Sequence, residues 1–464
     1  MQRTSKVQAP WDFEELRVSV LCVLCFTQRP VISMQTYPRR TLWAWALYDF
    51  ANSAFTTLVV TFVYATYFTQ AIAADSVTGT TLWSRAVTVS GILVALLSPF
   101  LGALADQGHY RKRFLAAATG VCVLTTAALF FPRPGQVLEA LILFTIANVA
   151  FELGNVFYNA FLPDIAPHGR IGRISGYGWA LGYVGGLLCL AVALVGLVMP
   201  EAPLGGFSKT DGENVRATNL LVAVWYALFS VPLLLWVPEH RPKHRVQLPI
   251  LLRQAARQLG ETFHEVRRYR QVARLLLAHL LYNDGLLTLF AFGGIYAAGT
   301  FGFQTDEIIV FGIVLNVAAG LGAWLFGFID DYLGGKRALM LSLGGLLGAT
   351  LLAVLATDRL LFWVAALIIG LCVGPNQSAS RSLLGRFTPL GKRNEFYGFF
   401  AFSGKATAFL GPLLLGLFTD WSGSQRVGVS SVLLFFGLGL WLLLRIDEAE
   451  GVRQAQEQQR EPEL

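Results

Sequence analysis

The chain has 464 residues, of which 55% are hydrophobic and only 14% are charged, and its mean hydropathy is +0.55. This composition excludes a soluble protein of this size. The net charge of +7 is compatible with a nucleic-acid partner, but the cations lie in short connections between apolar runs, where the positive-inside rule accounts for them. We therefore expect a multi-pass membrane protein with no nucleic-acid partner.

Twelve apolar runs are long enough to cross a bilayer as helices, six on each side of a basic middle segment. The predicted spans are 42–70, 82–105, 113–131, 137–161, 176–199, 217–237, 272–299, 305–329, 338–356, 359–385, 394–419 and 426–445. The corresponding domains are an N-terminal segment (1–41), a first half (42–237), a linker (238–271), a second half (272–445) and a tail (446–464). The predicted fold class is an all-α membrane protein.

The N-terminal segment resembles neither a span nor a signal peptide. Its apolar piece, 16–26, is short, contains Arg17 and follows acidic residues. Met34 begins MQTYPRRTLW, which has the basic flank expected just inside a first membrane helix. We expect translation to start at Met34 and the segment before the first span to be disordered.

The first predicted helix places Asp49, Asn52, Ser53 and Thr56 on one face. A carboxylate within a span is costly, so it normally faces the protein interior or a water-filled cavity. We therefore expect Asp49 and Asn52 to belong to a substrate or coupling cavity. The alternative is that Asp49 pairs with an arginine of a nearby loop.

A short motif follows the second predicted helix and returns after the eighth. GALADQGHYRKR begins at Gly102, and GFIDDYLGGKR begins at Gly327. The predicted gating residues pair as Gly102 with Gly327, Asp106 with Asp331, Arg111 with Lys336 and Lys112 with Arg337. The repeat indicates two halves related by duplication, with the basic clusters on the cytoplasmic side. The alternative is a chance match between two charged loops.

The fourth predicted helix carries a polar stripe on an otherwise apolar segment. Asn148, Glu152, Asn155 and Asn159 are spaced so that they lie on one helix face. We expect this stripe to line a cavity, with Glu152 as the first candidate for proton coupling. Amide stripes also hold neighbouring helices together, and that interpretation stays open.

The linker contains eight lysines and arginines, which is typical of a cytoplasmic amphipathic helix on an anionic leaflet. The second half adds candidate cavity residues on its first, fourth and fifth helices. They are Asn283, Asp284, Asn376, Gln377, Arg381 and Lys405. We expect the tenth helix to be broken or kinked at Gly374 and Pro375, Lys405 to pair or face water, and the acidic, glutamine-rich tail to be disordered.

Three strings resemble the major facilitator superfamily, and within it the vacuole-effluxer-like branch named for autophagy-related proteins that export amino acids. They are LYDFANSAF, FYNAFLPDIAPHGRIGRISGYGWALGYVGG and SRSLLGRFTPLGKRNEFYGFFAFSGKATAFLGPLLLG. The resemblance spans Trp43 to Arg445 and favours a bacterial member. It implies a bundle in which helices 1, 4, 7 and 10 surround a central cavity while two halves rock to expose it alternately.

The expected function is secondary transport of a small polar solute, amino acids among the candidates, with proton coupling or exchange. No phosphate-binding G-x-x-x-x-G-K-[ST] loop, H-E-x-x-H or G-x-S-x-G motif is present, so neither ATP coupling nor enzyme activity is expected. A solute sensor on the same fold and an intramembrane enzyme are the alternatives. We expect a monomer in the plasma membrane with cytoplasmic termini and no metal or cofactor.

Overall fold

A computed structural model describes residues 37–167, 169–239, 248–264 and 269–458, and the predictions for 1–36 lie outside them. Within the described residues every regular element is a helix. The twelve long helices are α1 (Arg39–Ile72), α2 (Ser76–Gly108), α3 (Arg111–Ala128), α4 (Val137–Asn159), α5 (Ile171–Val198), α6 (Glu213–Trp236), α7 (Arg270–Phe301), α8 (Thr305–Leu333), α9 (Gly335–Leu355), α10 (Arg359–Phe387), α11 (Arg393–Ser422) and α12 (Gln425–Leu444).

Their number and order match the prediction. Among the described helices, eleven are long and apolar enough to cross a membrane. The remaining long helix, α3, has 18 residues and begins with three consecutive cations, Arg111 to Arg113, which lower its mean hydropathy. We call the end of the bundle with the α2–α3 and α8–α9 connections the inner end, and the opposite end the outer end.

Three helices depart from regular α-helical geometry, among them α5, which ends in a π-helical turn at Leu194–Val198. α1 contains π-helical turns at Phe55–Phe62 and Phe68–Ile72, and the first of them widens the helix where it lines the cavity described below. α11 consists of two segments, Arg393–Lys405 and Leu410–Ser422, separated by a short non-helical stretch. The break predicted in the tenth helix is wrong, because α10 runs without interruption through Pro375.

The two halves meet closely at the inner end because glycines let the backbones approach. A Cβ atom on Gly102 of α2 would overlap the backbone of Asn394 in α11, and one on Gly398 of α11 would overlap Ser98. Gly176 of α5 lies in the same way against the backbone of α8. The inner ends of α2 with α11, and of α5 with α8, therefore close the bundle on this side.

The linker is helical over Leu248–His264 and packs against the bundle. Its Leu251 and Ala255 form an apolar cluster with Ala103 and Leu104 of α2. Gln258, also from this helix, is almost completely buried, accepts a hydrogen bond from Gln107 Nε2 and donates one to Glu395 of α11. The linker helix thus connects the two halves at the inner end.

The tail is the second correction. Residues 448–458 form a helix, Glu448–Gln458, although the composition predicts disorder there. The helix docks because Glu448 accepts backbone hydrogen bonds from Gly335 and Lys336 at the start of α9 and pairs with Arg386 of α10 at 3.1 Å. A carboxylate at a helix N-terminus satisfies exposed N–H groups and the helix dipole, so a polar segment gains structure from its end contacts.

We expect Gly102→Val to open the inner end, since the larger side chain cannot fit against Asn394. The measurement is maleimide labelling of Ser98→Cys, a fully buried position at this interface, in protein otherwise free of cysteine. Labelling should increase severalfold with Gly102→Val. Gly91→Val on the same helix is the matched control, because a Cβ there meets no atom within 4 Å. Equal labelling in both variants would show that glycine packing does not hold this closure.

Candidate functional site

A cavity of about 1150 Å³ lies between the halves. Its lining extends along the outer parts of α1, α7 and α8 and to the start of α12, so it reaches toward the outer end while the inner end is closed. Eleven of the predicted polar residues line it. They are Asp49, Asn52, Asn148, Glu152, Asn155, Asn159, Asn283, Asn376, Gln377, Arg381 and Lys405.

The floor of the cavity is an ion pair between the halves. Arg381 of α10 donates from Nη1 to Asp49 Oδ2 of α1 at 2.9 Å and to Asn159 Oδ1 of α4 at 3.1 Å. Its Nε and Nη2 donate to the hydroxyl and carbonyl oxygens of Ser175 in α5, at 2.9 and 2.7 Å. One arginine of the second half is therefore bound by three helices of the first. The alternative of a loop arginine for Asp49 is wrong.

Aromatic rings surround this guanidinium. The rings of Trp45, Trp179 and Tyr158 have their centroids 4.9, 5.5 and 5.7 Å from the Arg381 Cζ atom. Ring faces attract cations, and the rings also exclude water from the ion pair. Opening the inner end would separate Arg381 from Asp49 and leave two buried charges without a partner. The ion pair therefore favours the closed inner end.

A second ion pair lies in the cavity itself. Lys405 Nζ of α11 is 2.7 Å from Glu152 Oε1 of α4, which meets the expectation that Lys405 is paired. Side-chain exposures of 26% and 20% distinguish this pair from Arg381 and Asp49, whose exposures are 3% and 11%. The Glu152–Lys405 pair is accessible to a solute, whereas the floor pair is enclosed by protein.

The residues of the polar stripe on α4 fit both predicted roles, which are lining a cavity and holding neighbouring helices together. Asn148 donates to Ser90 of α2 at 2.9 Å, and Asn155 accepts from Asn52 of α1 at 3.0 Å. These amides hold helices of the first half together while also lining the cavity. Glu152 and Asn159, in contrast, contact α11 and α10 of the opposite half.

The candidates of the second half have different environments. Asn283 donates to the Gly404 carbonyl oxygen at 2.9 Å, and Gln377 accepts from Tyr183 of α5 at 2.9 Å. Asn376 is fully buried, and its side-chain amide has no hydrogen-bond partner among the described residues. The prediction that Asp284 lines the cavity is wrong. Asp284 is adjacent to Asn283, which does line it, and successive side chains on a helix point about 100° apart.

The repeated aspartates bind helix starts in the opposite half. Asp106 of α2 accepts from the backbone N–H groups of Asn394 and Glu395 at 3.2 and 2.8 Å, at the start of α11. Asp331 of α8 accepts from the backbone N–H groups of Gly172 and Arg173 at 3.0 and 3.3 Å, at the start of α5. Each carboxylate satisfies unpaired N–H groups of a helix that it can reach only when the inner end is closed.

The cationic parts of the motifs pair differently from the prediction. Lys112 Nζ donates to the Val237 carbonyl oxygen after α6 at 2.7 Å, and Lys336 Nζ donates to the Ile446 carbonyl oxygen after α12 at 2.6 Å. Lys112 therefore corresponds to Lys336, and Arg337 is left exposed. The predicted alignment slips by one residue because two residues join α2 to α3, whereas Gly334 alone joins α8 to α9.

Arg111 has a separate role at the inner end. It pairs with Asp164, which follows α4, and it donates to the Ala160 carbonyl oxygen at 2.9 Å. Asp164 also pairs with Arg393 at the start of α11. This carboxylate thus joins two arginines from the two halves and adds to the closure.

Sequence reasoning missed several residues of the site. His279 of α7 lines the cavity, where its Nδ1 lies 2.7 Å from Ser403 Oγ and its ring stacks on Phe400. Its position four residues before Asn283 was an available signal, because the two lie on one helix face. Ser175 and Trp179 gave no such signal, since nothing in a small or aromatic residue of a glycine-rich helix identifies an arginine partner.

The family model and the relatives that match this chain place it among the membrane transporters of the major facilitator superfamily. The family model described as "Vacuole effluxer Atg22 like" matches residues 76–456, and the chain belongs to this family. The chain is 27% identical over 418 residues to the Bacillus subtilis (strain 168) protein described as "Uncharacterized MFS-type transporter YxiO", covering 89% of this chain and 96% of that protein.

A fungal relative and a solved structure extend this comparison. Autophagy-related protein 22 of Yarrowia lipolytica is 23% identical over 461 residues, covering 80% of this chain and 76% of the relative. The proton:xylose symporter XylE, solved with 6-bromo-6-deoxy-D-glucose, matches with a TM-score of 0.71 at 14% identity and covers 92% of this chain and 100% of its own. This last likeness supports the fold.

We expect Arg381→Lys to lower the unfolding temperature of the purified protein. A lysine offers three donors on one nitrogen atom and cannot reproduce the four hydrogen bonds that Arg381 makes to Asp49, Asn159 and Ser175. Each lost hydrogen bond to a charged group costs about 1.5–3 kcal/mol. Thermal unfolding in detergent, followed by tryptophan fluorescence, is the measurement. Arg257→Lys is the control, since Arg257 is 81% exposed in its pair with Glu261 and should change stability by no more than about 0.5 kcal/mol. Identical unfolding temperatures would contradict a stabilising role for the floor.

Proposed function

We propose that this protein is a secondary transporter of small zwitterionic solutes, amino acids foremost, that works by alternating access and is coupled to protons or to exchange. The observation that carries the proposal is the accessible Glu152–Lys405 pair, whose two members come from opposite halves. A zwitterion carries one group of each sign. Its carboxylate fits Lys405 and its ammonium fits Glu152, so binding would replace the ion pair instead of adding an unpaired charge to the cavity.

This exchange of partners gives the solute a way to act on the conformation. While Glu152 and Lys405 bind each other, they connect α4 with α11 across the cavity. A bound zwitterion removes that direct contact, and the halves are then held chiefly by the floor pair and the inner-end contacts. A ligand shifts a conformational equilibrium only through such a difference in contacts between states. The effluxer family to which the chain belongs and its relative described as a transporter agree with a transport role.

The inner end is proposed to face the cytoplasm. Its connections carry the clustered cations, including Arg111, Lys112, Lys336 and Arg337, as the positive-inside rule requires. The described chain begins before α1 and continues after α12 at this same end, so both termini are proposed to be cytoplasmic in a plasma-membrane protein. In this orientation the cavity of the described state reaches toward the outside.

Proteoliposome uptake tests the proposal directly. A panel of labelled amino acids, sugars and organic acids is added with and without an imposed pH gradient. We expect at least one amino acid to be taken up, in competition with other zwitterions, while sugars and organic acids are not. Uptake restricted to a sugar or an organic anion would contradict the zwitterion assignment.

Glu152→Gln is expected to separate binding from coupling. The amide keeps the size of Glu152 and still accepts a hydrogen bond from the solute ammonium group, but it carries no charge and cannot take up or release a proton. Solute exchange should therefore persist at higher solute concentrations, while accumulation driven by the pH gradient falls at least about tenfold. Lys405→Ala should reduce both processes, since it removes the cation. Glu139→Gln, an exposed position on α4, is the matched control and should behave as the unaltered protein. Undiminished gradient-driven accumulation by Glu152→Gln would assign Glu152 a structural role only.

A further inference from the structure

Asp284 is a buried carboxylate that lies outside the cavity lining. Its relative exposure is 0%, and neither carboxylate oxygen has a hydrogen-bond partner among the described residues. An ionised carboxylate buried in this way is very unfavourable unless something neutralises it. The structure around Asp284 should therefore contain either a counter-charge or the elements of a cation site.

Among the residues that the structure describes, no side chain forms an ion pair with Asp284. On α12 the neighbours of the adjacent Gly285 are Phe435 and Phe436, which are apolar. On α11 the nearest cation along the chain is Lys405, whose ammonium group is bound to Glu152. On α7 itself, His279 is hydrogen-bonded to Ser403, and the arginine of α10 that reaches this region of the bundle, Arg381, is bound to Asp49.

The elements of a cation site come from the break in α11. The first segment of α11 ends at Lys405 and the second begins at Leu410, and Asp284 lies against this stretch, because a Cβ on Gly411 would be 2.9 Å from the Asp284 carbonyl oxygen. Thr407 lies within the break. Its hydroxyl group is close enough to interact with the Asp284 carboxyl group, although the two do not meet the geometry of a hydrogen bond, and neither has another hydrogen-bond partner among the described residues.

The backbone of the break also presents oxygen atoms. The helical i to i+4 pattern gives way to i to i+3 bonds, from Ala408 N to Lys405 O at 3.4 Å and from Leu410 N to Thr407 O at 2.7 Å. Pro412 has no N–H group to donate to the Ala408 carbonyl oxygen. The C-terminal end of the first segment carries the negative end of its helix dipole, and such interrupted helices coordinate monovalent cations in other transporters.

We propose that Asp284, Thr407 and the break in α11 form a binding site for a monovalent coupling cation, Na⁺ or a proton, outside the solute cavity. Either cation neutralises the buried carboxylate. Na⁺ would take the carboxylate, the hydroxyl and backbone carbonyl oxygens as ligands, which suits a hard cation. A proton would bind one carboxylate oxygen. The site deepens the proposed function by adding, beside Glu152, a second place at which the cation gradient acts, and in that respect it rests on the proposed transport.

The site is connected to the cavity by adjacent residues. Asn283, next to Asp284 on α7, donates to the Gly404 carbonyl oxygen at 2.9 Å, and Gly404 precedes Lys405. A cation that orders the break therefore acts on the segment that holds Lys405 against Glu152. Occupancy of the site and binding of a solute at the ion pair are thus linked through the same few residues of α11.

Thermal unfolding of the full-length protein in detergent, without any solute, tests the site. One series compares NaCl with choline chloride at pH 8.5, and another varies pH from 5.5 to 8.5 in choline chloride. If Na⁺ is the ligand, it raises the unfolding temperature by about 2 °C or more at saturation. If the ligand is a proton, the unfolding temperature in choline falls as pH rises. Asp284→Asn should abolish whichever response is present.

Two further variants make the result specific. Thr407→Val keeps the size of the side chain but removes its hydroxyl group. The Na⁺ concentration that gives half of the rise in unfolding temperature should therefore increase at least about tenfold, whereas a proton response should stay largely intact. Asp420→Asn, an exposed aspartate at the outer end of α11, is the matched control and should respond as the unaltered protein does.

The proposal is overturned if the unaltered protein shows neither response, or if Asp284→Asn retains it in full. The first of these outcomes needs no variant to fold. Because solute is absent throughout, the result is separate from that of the uptake panel: a cation response with no amino-acid uptake would leave this site standing and contradict the zwitterion assignment alone.

Discussion

The structure depends on carboxylates that reach from one half of the bundle to helix starts in the other. Asp106 binds the first N–H groups of α11, and Asp331 binds those of α5. A helix start inside a protein must have its N–H groups satisfied, and a carboxylate supplies both the hydrogen bonds and the favourable charge. The glycines at positions 102 and 327 make the approach possible, so the motif works as a unit of one small residue and one acid.

Two ion pairs follow from this closure and have different tasks. With the inner ends together, Arg381 enters a pocket formed by three helices of the first half and is enclosed by aromatic rings. Glu152 lies about two helical turns from Asn159 along α4, on the outer side of the floor pair. Glu152 and Lys405 remain accessible from the cavity. The enclosed pair stabilises one conformation. Among the cavity-lining residues, the accessible pair is the only one that we find whose two charges a zwitterionic solute can reach and replace with its own.

Most of the architecture could be predicted from the sequence, because the bilayer imposes one length on every span and forbids unpaired backbone groups. The polar candidates could also be predicted, since Asp49, Glu152 and Arg381 are too costly within a span to be incidental. Their partners could not. Asp49 and Arg381 are far apart in the chain, and no local pattern indicates which helices will meet.

The errors have physical causes of the same kind. Asp284 was grouped with its neighbour Asn283, although adjacent residues on a helix face different directions. The Gly-Pro pair of α10 predicts a broken or kinked helix, but α10 runs without interruption, and α11 is interrupted instead between Lys405 and Leu410, just before Gly411 and Pro412. The polar composition of the tail predicts disorder, whereas contacts of Glu448 and Glu450 with the bundle fix the start of its helix.

The most direct test measures inner and outer distances in the same protein. Pulsed electron paramagnetic resonance between spin labels at Arg113 and Leu390 reports the inner end, and labels at Thr80 and Ser422 report the outer end. In the double variant Asp106→Ala, Asp331→Ala, the account predicts that the inner distance increases while the outer distance decreases. An unchanged inner distance, or an increase at both ends, would contradict the claim that these two carboxylates hold one side of an alternating-access transporter closed.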